Sequence, residues 1–366
     1  MSKKVNIINN VITYAVTLGM FILVAAVGER YGDNFWALLF LFLGGAIIAG
    51  FITTLCHELG HVIGGKKNGF AFVSMSVLFL KWTKRKKKIK FSFTPIGNQA
   101  GYTEMVPTNS EDIENRFVKM TLFASLFTIV PTVLGILPLF LTFLPNWAYC
   151  LWVMLLPVGV YSILDNILPM TSDGVNNDGA VIYKIKKMDD SSKVAMNLLK
   201  IQAEMYQGKT PAEIDESLYF DLPQLREDDL NYFFLLNARY NYYLDKEDFE
   251  KVKEATDRLM ALEEYVSKDM MDVVKADALY NACTFDFDET RADDLTYELE
   301  KYLNFYNNAT NIRIKLAYIL FVKGEREVFE PFYKQAVKET NRCQIKGVAL
   351  FEKKLLDKIK VEYEKN

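Results

Sequence analysis

Four runs of this sequence are too long and too apolar to be left in water: residues 11–28, 35–55, 117–144 and 147–168. A helix rises 1.5 Å per residue, so about 20 residues cross the roughly 30 Å hydrocarbon layer of a bilayer. These runs read as four transmembrane helices, and the bilayer is the first expected partner. Lys3 and Lys4 ahead of the first run give it the outline of a signal peptide. No small-residue cleavage site follows, however, and the next run begins seven residues later, which favours a span. Pro131 and Pro138 interrupt the third run, which requires neighbouring groups to satisfy the freed carbonyls.

Basic residues orient the spans. Lys3 and Lys4 precede the first, and Lys66, Lys67, Lys81, Lys84, Arg85, Lys86, Lys87, Lys88 and Lys90 lie between the second and third. The other two connections hold only Arg30. Both termini and the 65–116 loop are therefore expected on the cytoplasmic side of a multi-pass cell-membrane protein. Within that loop, Lys88-Ile-Lys-Phe-Ser-Phe-Thr alternates at period two and reads as a half-buried strand, ended by Pro95, Gly97 and Gly101. Residues 71–80 are its expected hairpin partner, with the basic run 84–88 at the tip. That tip reads either as a solvated turn or as a contact with anionic lipid.

Charge divides the chain. Residues 1–183 carry 14 Lys/Arg and 10 Asp/Glu, whereas residues 184–366 carry 29 and 36. The net charge of −3 gives no reason to expect a nucleic-acid partner. Two domains are expected, a membrane-embedded one at 1–185 and a charged, helical, cytoplasmic one at 186–366. In the latter, Ala238-Arg-Tyr240, Ala278-Leu-Tyr280 and Ala317-Tyr318 recur at intervals near 40 residues. Each is followed by a polar break, at Asp245-Lys-Glu, Asp286-Phe-Asp and Lys323-Gly-Glu, and then another amphipathic helix. Paired helices at that period resemble an α-solenoid of tetratricopeptide-like architecture, without the consensus residues. The expected fold is thus predominantly all-α: about four transmembrane helices with a small membrane-associated β-hairpin, then a soluble α-solenoid. Four scattered cysteines without CxxC spacing indicate neither a disulfide framework nor a thiolate zinc site.

The chain has two histidines, and both lie in His57-Glu58-Leu59-Gly60-His61 at the end of the second apolar run. Positions i and i+4 share a helix face, so both imidazoles can meet one metal ion. Glu58 beside that face is placed to take a proton from metal-bound water. Ionisable groups in an apolar span are costly unless paired or metal-bound. A catalytic zinc needs a third protein ligand, and with no third histidine it must be a carboxylate or a cysteine. The end of the fourth run returns to the same side and carries two candidates, Asp173-Gly and Asp178-Gly, with Asp165 and Asn166 just before them.

HExxH in a transmembrane segment, joined by Asn166-x-x-Pro169 and a downstream Asp–Gly, resembles the site-2 protease family of intramembrane zinc metalloproteases, over about residues 35–185. The resemblance implies that His57, His61 and an Asp–Gly aspartate hold zinc. It further implies that Glu58 is the general base, and that Asn166 holds substrate or stabilises the intermediate. It also likens the hairpin to the family's membrane-associated β-region, whose edge can bind an unwound substrate by strand addition. In the family the Asp–Gly follows the Asn by eight residues. Here Asp173 follows by seven and Asp178 by twelve. Asp178 is favoured because Gly179 opens directly into Ala180-Val-Ile-Tyr-Lys-Ile, as in the family. Asp173 then reads as a turn acid. Asp165 reads either as a partner of the site or as a headgroup-level residue.

The expected activity is zinc-dependent hydrolysis of peptide bonds in membrane-associated proteins or precursor peptides. The rival reading is a catalytically silent membrane receptor or scaffold whose helical-repeat domain binds a cytoplasmic protein or peptide. Intact Glu58 favours hydrolysis, since metal storage does not require it.

Overall fold

The structure, a computed structural model, describes residues 3–28, 34–86, 88–95, 100–172 and 175–365. Arg30, Lys87, Gly97, Asp173 and Gly174, which figure in the expectations above, lie outside the described residues. The chain divides into two compact units, residues 1–106 with 112–189 and residues 107–111 with 190–366.

The first unit is built on α1 (Lys3–Gly28), α2 (Phe35–Lys67), a four-stranded sheet, α3 (Ile113–Leu134), α4 (Asn146–Val153), α5 (Leu155–Ile167) and α6 (Asp178–Lys187). Four helical stretches are long and apolar enough to cross a membrane: Lys4–Gly28, Phe35–Lys67, Ile113–Leu139 and Asn146–Ile167. Their boundaries depart from the sequence reading for identifiable reasons. The second helix runs through HExxH without a break and ends only at the Lys66–Lys67 turn. The third stops short of residue 144. Pro138 lies in a 3-10 turn, Leu137–Leu139, and cannot donate to the carbonyl of Leu134. The fourth is two helices meeting at Met154, where Pro157 leaves the Val153 carbonyl without its helical donor.

One stripe of α2 sets the packing. Gly45, Ala49, Thr53, His57, Gly60 and Gly64 are all buried at helical spacing. A Cβ on Gly60 would lie 2.6 Å from the Cα of Ala124, and one on Gly64 2.4 Å from the Cβ of Phe123. Small residues at this spacing let the backbones of α2 and α3 touch, the usual device where lipid gives helices no hydrophobic reason to associate. The opposite faces carry exposed Phe40, Ile47, Leu126 and Val130.

The sheet comprises β1 (Phe70–Val77), β2 (Leu80–Arg85), β3 (Lys88–Phe93) and β4 (Gly101–Pro107), in the order β3-β2-β1-β4. It corrects the expected hairpin. The strand at Lys88 pairs with Leu80–Arg85, not with residues 71–80, in the register Leu80↔Phe93, Trp82↔Phe91 and Lys84↔Ile89. The cause is a tight turn at Leu78-Phe79, with Leu78 at φ 51°, which cuts the 71–80 run in two. Turns of this kind favour Gly or Asn, so leucine hides it.

The second unit is helical: α7 (Asp190–Gln207), α8 (Ser217–Phe220), α9 (Leu230–Lys246), α10 (Phe249–Met260), α11 (Lys268–Asn281), α12 (Glu289–Glu298), α13 (Glu300–Phe305), α14 (Ala309–Phe321), α15 (Phe329–Thr340) and α16 (Lys346–Lys365). The recurring Ala–Tyr positions fall on α9, α11 and α14, which pack on α10, α12 and α15 respectively. In a purely linear array each repeat touches only its neighbours. Here α16 returns to pack on α7, and Lys354 reaches Asp245 at the end of α9 (2.8 Å). Inside this core, Arg313 Nε donates to Glu352 Oε2 (2.7 Å), Thr310 donates to the other oxygen (2.7 Å), and the guanidinium lies 4.1 Å from the Tyr280 ring centre. Burial pushes the Cys283 thiol up to about 12, with the charge of Asp293 adding to it, which makes it an inert packing group. Breaking a buried ion pair from one side strands the other charge, at about 3–5 kcal/mol. Glu352→Ala is therefore expected to destabilise this unit by that order, read as a lowered urea or thermal midpoint.

Candidate metal centre

The HExxH segment lies wholly within α2, so one turn of helix separates the two imidazoles. Their ring centres are 4.9 Å apart and nearly perpendicular, at 88°. Both Nε2 atoms point at one oxygen: Asp178 Oδ2 lies 3.3 Å from His57 Nε2 and 3.3 Å from His61 Nε2. The ligand-type atoms of the three residues all lie within 4.8 Å of one another. The structure therefore brings together His57, His61 and Asp178, from the second apolar run and from beyond the fourth. Asp173 lies outside the described residues.

The proton on His57 can be placed by hydrogen-bond accounting. The Thr128 hydroxyl, buried on α3, donates its only hydrogen to the Ala124 carbonyl one turn back (3.0 Å). Its oxygen is 3.2 Å from His57 Nδ1, and with the hydroxyl hydrogen assigned to Ala124 it accepts there from Nδ1–H. In the neutral ring, Nε2 is then a bare lone pair aimed at Asp178. Asp178 Oδ2 is itself buried with no hydrogen-bond partner. A lone pair facing a buried carboxylate oxygen repels it unless a cation, a proton or a metal ion, lies between them. Two neutral imidazoles and one carboxylate also suit a divalent transition ion, with a position left open. The residues present thus fit a metal.

Glu58 is 4 % exposed and sits beside this group without belonging to it. Its carboxylate is gripped by β4: Thr103 Oγ1 donates to Oε2 (2.5 Å). Gly101 lies so close that a Cβ there would come within 2.4 Å of Oε1 and 2.7 Å of Thr54 Cγ2. β4 is also an edge strand of the sheet, so the Glu58 carboxylate lies beside a strand edge.

Asp178 is delivered by a short strap. Two-residue strands β5 (Thr171–Ser172) and β6 (Val175–Asn176) pair antiparallel and lead into α6, whose N-cap is Asn177. Gly179 permits the approach of α6 to the end of α5, since a Cβ would lie 2.2 Å from the Ile167 carbonyl oxygen. Asn166 is not among the converging groups. Its amide donates to the Ser162 carbonyl within α5 (2.8 Å). Asp165 is half-buried, and its backbone carbonyl accepts from the Asn177 amide.

Sequence reasoning missed Thr103, Gly101, Thr128 and Asn177. Thr103, Gly101 and Thr128 have no signal of their own, because they act through partners 45 to 71 positions away or through a close backbone approach, while Asn177 carries only the signal of an N-cap before Asp178-Gly179. Comparison of the chain with protein-family models, with curated proteins and with solved structures gives no match.

Asp178→Ala removes the one candidate ligand not carried by α2. It should weaken divalent transition-ion binding by more than the roughly 10–100-fold that outer partners of ligands cost, read by competition with a chelating dye. Asp165→Ala should leave binding unchanged.

Proposed function

We propose that the chain is an intramembrane zinc metalloendopeptidase of site-2 protease type, acting on membrane-associated proteins or precursor peptides. The observation that carries this reading is the convergence of His57 Nε2 and His61 Nε2 on the unpartnered Oδ2 of Asp178, with Glu58 alongside. His57, His61 and Asp178 would hold the ion. Bound there, zinc would supply Lewis acidity, polarising a peptide carbonyl and bringing the pKa of water toward about 7.

The chain's own groups do the rest. Glu58 takes the proton of the attacking water and returns it to the leaving amine. Thr103 and the close backbone at Gly101 hold its carboxylate in one place, so little reorientation is needed when the proton moves. The assignment of Asn166 to substrate or oxyanion binding requires its amide to leave Ser162.

A transmembrane helix cannot be cut as it stands, because its carbonyls are internally hydrogen-bonded and its backbone is enclosed by side chains. An unwound segment needs replacement partners, and the edge of β4 offers them next to Glu58. The apolar spans put this chemistry in a bilayer, with both termini and the helical unit on the cytoplasmic side by the basic-residue rule. The repeat-like unit is assigned to recruiting a cytoplasmic protein or the cytoplasmic part of the substrate.

Glu58→Gln keeps the shape and removes the base. It should lower cleavage by roughly 10²–10⁴-fold while leaving zinc content unchanged. Chelation should abolish cleavage in the unaltered protein, and zinc should restore it. The membrane and secreted peptides of cells making either form supply the assay: substrates accumulate uncut in cells making the Glu58→Gln variant. Identical peptide profiles, or cleavage surviving in that variant, overturn the reading in favour of a scaffold.

A further inference from the structure

The first span carries three asparagines, Asn6, Asn9 and Asn10, in an otherwise apolar turn and a half. Polar side chains in a span are costly without partners, and two of these three reach out of their own helix. Asn6 makes a two-point pair with one residue of the strap, Nδ2 donating to the Thr171 carbonyl (2.9 Å) and Oδ1 accepting from the Thr171 amide (2.9 Å). Asn9 Nδ2 donates to the Pro169 carbonyl (2.8 Å). Asn10 stays local, donating to the Asn6 carbonyl (3.0 Å).

The residue between those two anchor points faces the other way. The Met170 amide donates to Asn177 Oδ1 (3.0 Å), and the Met170 carbonyl accepts from the Asn177 amide (3.1 Å). Asn177 also donates through Nδ2 to the Leu168 carbonyl (2.7 Å) and accepts at Oδ1 from the Ala180 amide (2.8 Å). Residues 169–171 are thus an extended strap whose successive residues bond to opposite sides. α1 takes Pro169 and Thr171, and Asn177 takes Met170. Asp178 is the residue after Asn177.

We infer that α1 is part of the frame of the metal centre, with Asn6, Asn9 and Asn177 as positioning residues for Asp178. This rests on the reading that His57, His61 and Asp178 hold zinc. Two ligands ride on a single helix turn and need no further alignment. The third stands on the first residue of α6, which is entered from a strap with almost no secondary structure of its own, and these side-chain bonds fix where that helix starts. The first span then acts on ion affinity from outside the ligand set, not as a bare anchor.

The test is a zinc titration of the full-length protein in bilayer nanodiscs against a competing chelator. Asn6→Leu and Asn9→Leu keep side-chain bulk and lose the strap bonds, and each should weaken zinc by about 10-fold, the lower end of the range for partners that orient a ligand. Asn177→Ala should weaken it by about 10–100-fold, the whole of that range. Asn10→Leu, on the same helix but off the strap, should bind as the unaltered protein does. Wild-type affinity in the Asn6 and Asn9 variants, or equal loss in the Asn10 variant, overturns the inference.

A second measurement needs no substitution. If zinc fixes Asp178, it must reciprocally fix the strap, so zinc loading should slow hydrogen exchange at the amides of Met170, Thr171 and Asn177. Unchanged exchange there in a protein that does bind zinc overturns the inference even if every variant misfolds. If the unaltered protein binds no transition ion, the metal reading itself fails instead.

Discussion

A carboxylate oxygen buried between two imidazole nitrogens, with no proton donor of its own, is the constraint around which the first unit is organised. Removing an ionised carboxylate from water costs far more than any single hydrogen bond returns. Such a group is tolerable only if a positive charge accompanies it. The histidines are the nearby groups able to bring one, either as a proton or by sharing a metal ion. With Nδ1 turned to Thr128, the His57 nitrogen that faces Asp178 is Nε2, the atom through which either cation would be shared. Everything else in the unit can be read as what is needed to make that meeting of three residues possible inside an apolar layer.

The supports differ on the two sides of the site. On the helical side, rigidity comes from close contact. The glycine stripe lets α2 touch α3, which puts Thr128 within reach of His57, and β4 lies against Glu58 with only a glycine between. On the other side Asp178 opens α6, which packs on α3 and α5, and the approach to that helix is short. Asp178 follows two-residue strands, and asparagine amides substitute for the ladder that a longer sheet would provide. An amide side chain has the same donor and acceptor as a peptide group, so Asn6 pairs with Thr171 as a neighbouring strand would.

What can be read from the sequence follows from the range of the interactions involved. His57 and His61 are legible because helical period alone places them together, and four apolar spans are legible because bilayer thickness fixes their length. The pairing of Asp178 with them is legible only as a choice between two Asp–Gly pairs, since a strap has no period to extrapolate. The end of the third span is misjudged where Pro138 cannot donate to the carbonyl four residues before it, whereas Pro157 divides the fourth span without moving its ends. The strand pairing is misjudged because Leu78 occupies a left-handed turn position without the Gly or Asn that would announce it. The Ala–Tyr recurrence finds the first helix of each pair, but not the return of α16 to α7, which depends on a contact between the two ends of the unit.

The placement of β4 ties base and sheet together physically. Thr103 Oγ1 points to Glu58, so the face of β4 that carries Thr103 is committed to the site, and period two puts Gly101 on that same face. A side chain at position 101 would collide with the carboxylate, which is why the strand can come this near only with glycine there. The peptide groups of an edge strand lie in the plane of the sheet, perpendicular to its side chains, so holding Glu58 does not occupy the hydrogen-bonding edge. A single strand can therefore fix the base with its face and still present backbone donors and acceptors to an extended segment. Under the proposed function, that separation of roles lets the strand hold an unwound segment open while Glu58 moves one proton.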